Sequence, residues 1–374
     1  MSYILKFKDT DLMRFDMSHA IDGFRVSILS MNEKHKNMLP LAMTADEKGL
    51  SHWLRNRTIP QNRAYVSNFL AKLGLNEKDT IGILELCHGL SLNDCYWVVP
   101  DNYSATFAEK NLYDNRISRT LAEIAFTGYG SHNRNSLRSS PEFTTNGMLA
   151  KAWRRVNGEI VLYKSGTEGF ANSGNEPYSE FYAYQIAEAM GLNAISYGLS
   201  RWKNKLCSTC KLFTSKDVSF VAAWQLVREG GVIAVMDYYK SLGEEYYADL
   251  LNTFLFDAVV FNEDRHFGNL GFLVSAESNE IIGTAPIFDN GLSLFCYAMP
   301  DDLDDIEQYA GTRRPSVYGD YVEFSRTFMT PAQKQMLRRL INFRFKKHST
   351  YNLPPERLRA IERMIQIRVR ELLA

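Results

Sequence analysis

The chain has 374 residues, 45% hydrophobic and 23% charged, with 43 Lys and Arg against 43 Asp and Glu. That length holds two or three packed units, and a formal charge of zero gives no overall attraction for nucleic acid or anionic membrane. Residues 1–9 lack the apolar core of a signal peptide, no apolar run approaches the ~18 residues of a spanning helix, and five cysteines speak for reduced thiols in the cytoplasm over a disulfide framework.

Residues 1–100 read as a small mixed unit, with strands over 12–17 and 24–29 and helices over 63–73 and 77–86, the latter capped by Asn76. The aromatic stretch 90–98 reads as a connecting segment used for packing. Arg134-Asn135-Ser136-Leu137-Arg138-Ser139-Ser140 is polar, basic and rich in hydroxyls, which predicts a loop. Next comes Phe143-Thr144-Thr145-Asn146-Gly147, whose small residues would let backbone N–H groups and hydroxyls face an anion. There is no Walker A sequence and no Gly-x-Gly-x-x-Gly, which excludes a P-loop enzyme and a standard dinucleotide binder.

Residues 148–155 and 159–164 predict a hairpin around Val156-Asn157-Gly158. Lys164, at the end of the second arm and facing a cleft, would neutralise nucleotide phosphates. A helix over 179–190, stopped by Gly191, carries Glu180 in its first turn, where the helix dipole also favours a carboxylate. Glu180 is a candidate partner for Lys164, and Glu176 is its rival. Residues 205–213 read as a strand, after which Thr214 or Ser215 caps a helix with Asp217 in its first turn. Cys207-x-x-Cys210 is not a metal pair on this reading, since positions three apart in a strand face opposite sides and no second pair completes four ligands.

Tyr247, Leu250, Leu251, Phe254, Leu255, Ala258 and Val259 recur at helical spacing and predict a helix over 244–261. It delivers Asp264-Arg265-His266-Phe267-Gly268-Asn269. A hairpin with strands over 270–274 and 281–282 then returns the chain at Phe288-Asp289-Asn290-Gly291. Phosphoryl transfer needs a carboxylate to orient and deprotonate the attacking hydroxyl, and oxygen ligands that hold Mg²⁺ across the phosphates. Asp264 would be the base, and Asn269 and Asp289 would hold the metal; His266 reads as a structural residue of the loop. Amphipathic helices over 331–345 and 355–373 close the chain, their many Arg and Lys forming a solvated face.

At these residues the chain resembles the HipA-like serine/threonine kinases, a bacterial family with a protein-kinase-like fold distantly related to phosphatidylinositol kinases. The Asp-Arg-His-x-x-Asn run followed by an Asp near a Gly is shared by those families. Ser139-Ser140-Pro141-Glu142, Thr144-Thr145-Asn146-Gly147 with Lys151-Ala152-Trp153, Leu162-Tyr163-Lys164 and Glu176-Pro177-Tyr178-Ser179-Glu180 are similar to segments of its nucleotide-binding lobe. The resemblance covers residues 139–374. It departs from ordinary protein kinases at Phe288-Asp289-Asn290-Gly291, where those have Asp-Phe-Gly.

The resemblance implies an α+β, bilobal protein-kinase-like fold: a mixed α/β extension over 1–135, an antiparallel β-rich lobe over 136–213 and a mainly helical lobe with the catalytic loop over 214–374. It implies ATP and Mg²⁺ as cofactors. Asp264 and Lys164 are then catalytic, Asn269 and Asp289 hold metal, and Thr144, Thr145, Asn146, Gly147, Lys164, Glu180, Leu212, Phe213 and Thr214 contact the nucleotide, the last three through a hinge-like strand exit. Ser136, Ser139 or Ser140 would be self-phosphorylated. The implied partners are a protein substrate with a Ser or Thr acceptor and, for a toxin, a helix-turn-helix antitoxin; direct contact with nucleic acid or membrane is not expected. Two further readings are a small-molecule or lipid kinase and a non-catalytic, kinase-like regulatory protein. Retention of Lys164, Asp264, Asn269 and Asp289 together speaks against the latter.

Overall fold

A computed structural model describes residues 1–20, 23–130 and 140–374; Ser136 and Ser139 lie outside the described residues. The fold is a mixture of helices and antiparallel sheets. It divides into two compact units, one of residues 1–163, 211–221 and 273–282, the other of residues 164–210, 222–272 and 283–374.

The first unit is built on a four-stranded antiparallel sheet of β1 (Ser2–Phe7), β2 (Thr10–Ala20), β3 (Gly23–Met31) and β4 (Tyr96–Pro100), in the order β3-β2-β1-β4. Sequence reasoning found β2 and β3 and missed the other two. Tyr3, Ile4 and Leu5 in β1 and Tyr96 to Val99 in β4 are buried in succession, and a strand covered on both sides shows no alternation to read. The segment taken as an aromatic connector is therefore a core strand, and Trp97 also donates its indole N–H to the Lys8 carbonyl at 2.6 Å.

The helices Val66–Lys72 and Thr80–Cys87 cover this unit. Asp79, not Asn76, caps the second: its carboxylate accepts from the Gly82 N–H at 2.9 Å, while Asn76 closes the preceding turn on the Lys78 N–H. Two short polar side chains compete for one helix start, and the nearer one wins. His88 follows the helix in left-handed backbone, its ring 4.8 Å from that of Tyr103. Burial pushes the His88 imidazole down to about 4. A depressed histidine is neutral in the fold, so its contribution is complete above ~6.5 and lost as pH falls from there toward about 4. Between pH 7.5 and 4.5, urea titrations of wild type should lose about 2–3 kcal/mol more than those of His88→Phe; equal losses would contradict this.

β5 (Lys151–Val156) and β6 (Glu159–Ser165) form the expected hairpin, turned by Asn157 at φ 50° and Gly158 at φ 85°. Both values suit the two-residue turn that Asn-Gly favours. The expected helix after Thr214 is instead the strand Val218–Ala222. Ser215 makes a turn, its hydroxyl accepting from the N–H groups of Asp217 and Val218 at 3.1 Å each. A Ser that could cap a helix here closes a local turn, and the β-branched Val218 leads into a sheet with Gly271–Ser275 and Ile281–Thr284.

The second unit contains the hairpin of β7 (Tyr197–Trp202) and β8 (Lys205–Lys211) and a helical core. Ile186 and Ala187 of the helix Glu176–Met190, Phe256 and Val259 of Glu244–Val260, and Ile361 and Ile365 of Pro355–Leu373 are fully buried together. The first of these helices starts three residues earlier than expected, because Pro177 presets its opening turn. Glu180 thus sits in the second turn, beyond the helix-end dipole. The expected helix 331–345 is the shorter Pro331–Arg338. Among the described residues, no helix is long and apolar enough to cross a membrane.

Candidate active site

The helix Glu244–Val260 is almost wholly apolar from Leu250 to its end, and Asp257 is the only charged residue in that stretch. A lone buried carboxylate is expensive unless paired. Asp257 is paired twice over: Arg265 Nε reaches Oδ2 at 2.9 Å and Nη2 reaches Oδ1 at 2.9 Å, with Asn262 Nδ2 at 3.1 Å. Such a fork-to-carboxylate pair is both strong and directional. Phe261, at φ 55°, ends the helix, and the Asn262 side chain then accepts from the Asp264 N–H at 3.0 Å.

Arg265 is fully buried and ties two segments together. Its Nη1 donates to the Phe288 carbonyl at 2.7 Å and its Nη2 to Asn290 Oδ1 at 2.6 Å. The loop bearing Asp264 is thereby fastened to both neighbours of Asp289. Asp264 itself is half-buried; burial holds its carboxyl above the usual range and the Asp289 charge adds to this, against His266 and Lys164. Asn269 is buried, with Nδ2 3.5 Å from the Asp264 carbonyl. His266 is exposed, and its Nδ1 accepts from the Gly268 N–H at 3.0 Å, a structural role within the loop as expected.

Lys164 lies between two carboxylates. Its Nζ is 2.8 Å from Glu180 Oε1 and is also paired with Asp289 Oδ1. Burial works against the ammonium, but Asp289 and Glu180 outweigh it and hold Lys164 above its ordinary value. The rivalry for Lys164 is resolved: Glu176 Oε1 accepts instead from the Thr167 N–H at 3.1 Å and the Tyr297 hydroxyl at 2.8 Å. Glu180 has a second use, since its Oε2 accepts from the Asn290 N–H at 2.8 Å. The Asp289 N–H donates to the Tyr197 hydroxyl at 3.1 Å. These two bonds hold Asp289 at φ 57°, a backbone region that costs a residue with a side chain of order 1 kcal/mol or more.

Of the twelve candidate site residues, the structure places Lys164, Glu180, Asp264, Asn269 and Asp289 in the second unit. Thr144, Thr145, Asn146, Gly147, Leu212, Phe213 and Thr214 belong to the first. There the threonine hydroxyls turn inward, Thr144 to the Leu90 carbonyl at 2.9 Å and Thr145 to that of Pro141 at 2.7 Å. The loop was expected to offer hydroxyls to an anion; these two are engaged in holding its shape, which leaves its backbone. Beneath it, Arg63 and Glu142 form a buried pair at 2.8 Å, and Lys151 Nζ donates to the Asn146 carbonyl at 2.7 Å. Gly147, at φ 95°, occupies a conformation natural only to glycine. The Leu212 N–H donates to the Ile160 carbonyl at 3.0 Å, and the Thr214 hydroxyl donates to that of Leu92.

Sequence reasoning missed Asp257, Asn290 and Tyr197. The lone charge inside an apolar helix was a legible signal for Asp257, and the side chain beside Asp289 was one for Asn290. Tyr197 gave none, because a tyrosine in a short strand is most often packing.

No family model matches the chain. The serine/threonine-protein kinase CtkA of Helicobacter pylori strain J99 is 29% identical over 143 residues, which is 34% of this chain and 43% of that protein. The chain thus spans less than half of that relative's length. A chain in the solved complex of the Shewanella oneidensis MR-1 toxin–antitoxin system, HipA, HipB and its operator DNA, covers 99% of this chain and is itself covered to 99%, at 14% identity and a TM-score of 0.54. The chain is similar to HipA-like serine/threonine kinases. The Shewanella structure shares its fold along nearly the whole length. A crystal structure of the H. pylori proinflammatory kinase CtkA covers 60% of this chain and 91% of its own, at 19% identity and a TM-score of 0.47.

Proposed function

We propose that the chain is an ATP- and Mg²⁺-dependent HipA-like protein serine/threonine kinase with Asp264 as its catalytic base. The observation that carries this is the convergence of Lys164, Glu180 and Asp289 on one another while Arg265 fastens the Asp264 loop to residues 288 and 290. In this reading residues 136–213 form the nucleotide-binding lobe, residues 214–374 the helical lobe and residues 1–135 an extension, and the chain works in the cytoplasm.

The donor set fits the metal: Asp289 offers a half-exposed carboxylate and Asn269 an amide, hard oxygen donors of the kind Mg²⁺ takes. When bound, Mg²⁺ would supply charge neutralisation across the nucleotide phosphates. Lys164 would leave Asp289 for those phosphates, with Glu180 keeping its ammonium in place. Thr144, Thr145, Asn146 and Gly147 would cradle the phosphates through their backbone, and Leu212, Phe213 and Thr214 would hold adenine. Asp264 would take the acceptor hydroxyl's proton as that oxygen bonds to the γ-phosphorus and ADP departs. Ser140, fully buried and with no hydrogen-bond partner for its hydroxyl among the described residues, would have to come out of its pocket to be modified.

The acceptor is proposed to be a protein Ser or Thr, and the partner a helix-turn-helix antitoxin, with the chain acting as a toxin. The test is incubation with labelled ATP, Mg²⁺ and host lysate. Labelled protein bands are expected. Label confined to lipid or small molecules would replace this reading by a small-molecule or lipid kinase, and nucleotide binding without transfer would replace it by a regulatory protein.

A further inference from the structure

The loop between the helices Ile306–Gly311 and Tyr321–Thr327 grips both neighbours of Asp264. On one side, Arg313 Nη1 lies 3.2 Å from Glu263 Oε2, with its guanidinium over the Tyr309 ring at 4.4 Å. On the other, the Ser316 hydroxyl donates to the Arg265 carbonyl at 2.9 Å. The loop reads Arg313-Arg314-Pro315-Ser316, with Pro315 buried as its anchor and Arg314 and Ser316 exposed. Among the described residues, Arg314 hydrogen-bonds only backbone oxygens, those of Gly311 and Arg313 at 2.8 Å each. An exposed serine hydroxyl is therefore held one residue from the candidate base, with two guanidinium groups two and three residues before it.

We propose that Ser316 is a self-phosphorylation site and that phosphate there slows the enzyme by releasing the Asp264 loop; this rests on the kinase reading above. The Ser316 Oγ would bond to the γ-phosphorus of ATP, the bond from that phosphorus to the β–γ bridging oxygen would break, ADP would leave, and the serine proton would pass to the Asp264 carboxylate of the acting copy. A phosphoserine carries roughly −1.5 to −2 charges at neutral pH and no longer donates from Oγ. Its bond to the Arg265 carbonyl is lost. Arginine forks pair strongly with phosphate, so Arg314 gains an anionic partner and Arg313 is drawn away from Glu263. One modification thus undoes both ties to the neighbours of Asp264. Loss of two hydrogen bonds that set the base should lower kcat about tenfold, with the KM for ATP unchanged because neither tie involves Lys164 or Glu180.

The experiment incubates the whole chain with ATP and Mg²⁺, maps phosphopeptides by mass spectrometry, and follows transfer to casein before and after phosphatase treatment. Phosphate is expected on Ser316 in wild type and on the threonine of Ser316→Thr, none is expected in Asp264→Asn, and the phosphorylated pool should turn over about tenfold slower than the treated one. Transfer to casein or to other residues with Ser316 unmodified would overturn the inference and leave the kinase reading intact. Phosphate on Ser316 with unchanged kcat would overturn the switch. Absence of transfer to any acceptor would remove the kinase reading, and this inference with it.

Discussion

Arg265→Leu is expected to destabilise the second unit by about 3–5 kcal/mol, because it strands the fully buried Asp257 carboxylate in an apolar helix. The same substitution frees the Phe288 carbonyl and the Asn290 side chain, so residues 288–290 lose their link to the Asp264 loop. The double substitution Asp257→Leu, Arg265→Leu separates the two effects. Replacing a buried pair by apolar side chains is often close to neutral, so the double variant should recover at least half of the lost stability while still lacking phosphoryl transfer. Chemical denaturation checks the first part. An Arg265→Leu midpoint equal to wild type would show that the pair does not hold this site together.

Lys164→Met is the second large effect. Removing a preorganised cation from the charge that develops on a transferring phosphoryl group should slow transfer by roughly 10²–10³. Glu180→Gln should be milder, on the order of tenfold, because an amide can still accept from the Asn290 N–H while its charge on Lys164 is lost. Equal losses in the two variants would contradict the division of labour drawn for Glu180. The pH dependence has a definite sign. Burial works to lower the Lys164 ammonium, and Asp289 and Glu180 raise it further than that. A raised lysine contributes stability fully below its unfolded value of ~10.4 and loses it only at more alkaline pH, so the Lys164 ammonium itself should add no slope to stability between pH 6 and 9.

What could be read from the sequence follows from burial. The Glu244–Val260 helix, the β5–β6 turn and the C-terminal helix were legible because apolar spacing, Asn-Gly and Pro355 are local signals. β1 and β4 were not, because Tyr3 to Leu5 and Tyr96 to Val99 face apolar neighbours on both sides and leave no polar face to mark the period. Ser215 looked like a helix cap because a hydroxyl closing a turn and one starting a helix use the same hydrogen bond. At the site, Lys164, Asp264, Asn269 and Asp289 stood out by type and order. The choice of Glu180 over Glu176 was a matter of helix start, and the sequence placed that three residues late. Tyr197 and Arg265 act on the backbone and side chains around Asp289 from distant or buried positions, which only tertiary structure displays.

The most direct test of the central claim compares purified wild type with Asp264→Asn at saturating ATP and Mg²⁺, measuring nucleotide affinity and transfer of the γ-phosphoryl group in the same preparations. Nucleotide affinity is expected to stay within about twofold, while transfer falls by about 10²–10⁴, the range for removing a general base. Equal transfer by wild type and Asp264→Asn would contradict the assignment of Asp264, whatever acceptor carried the label.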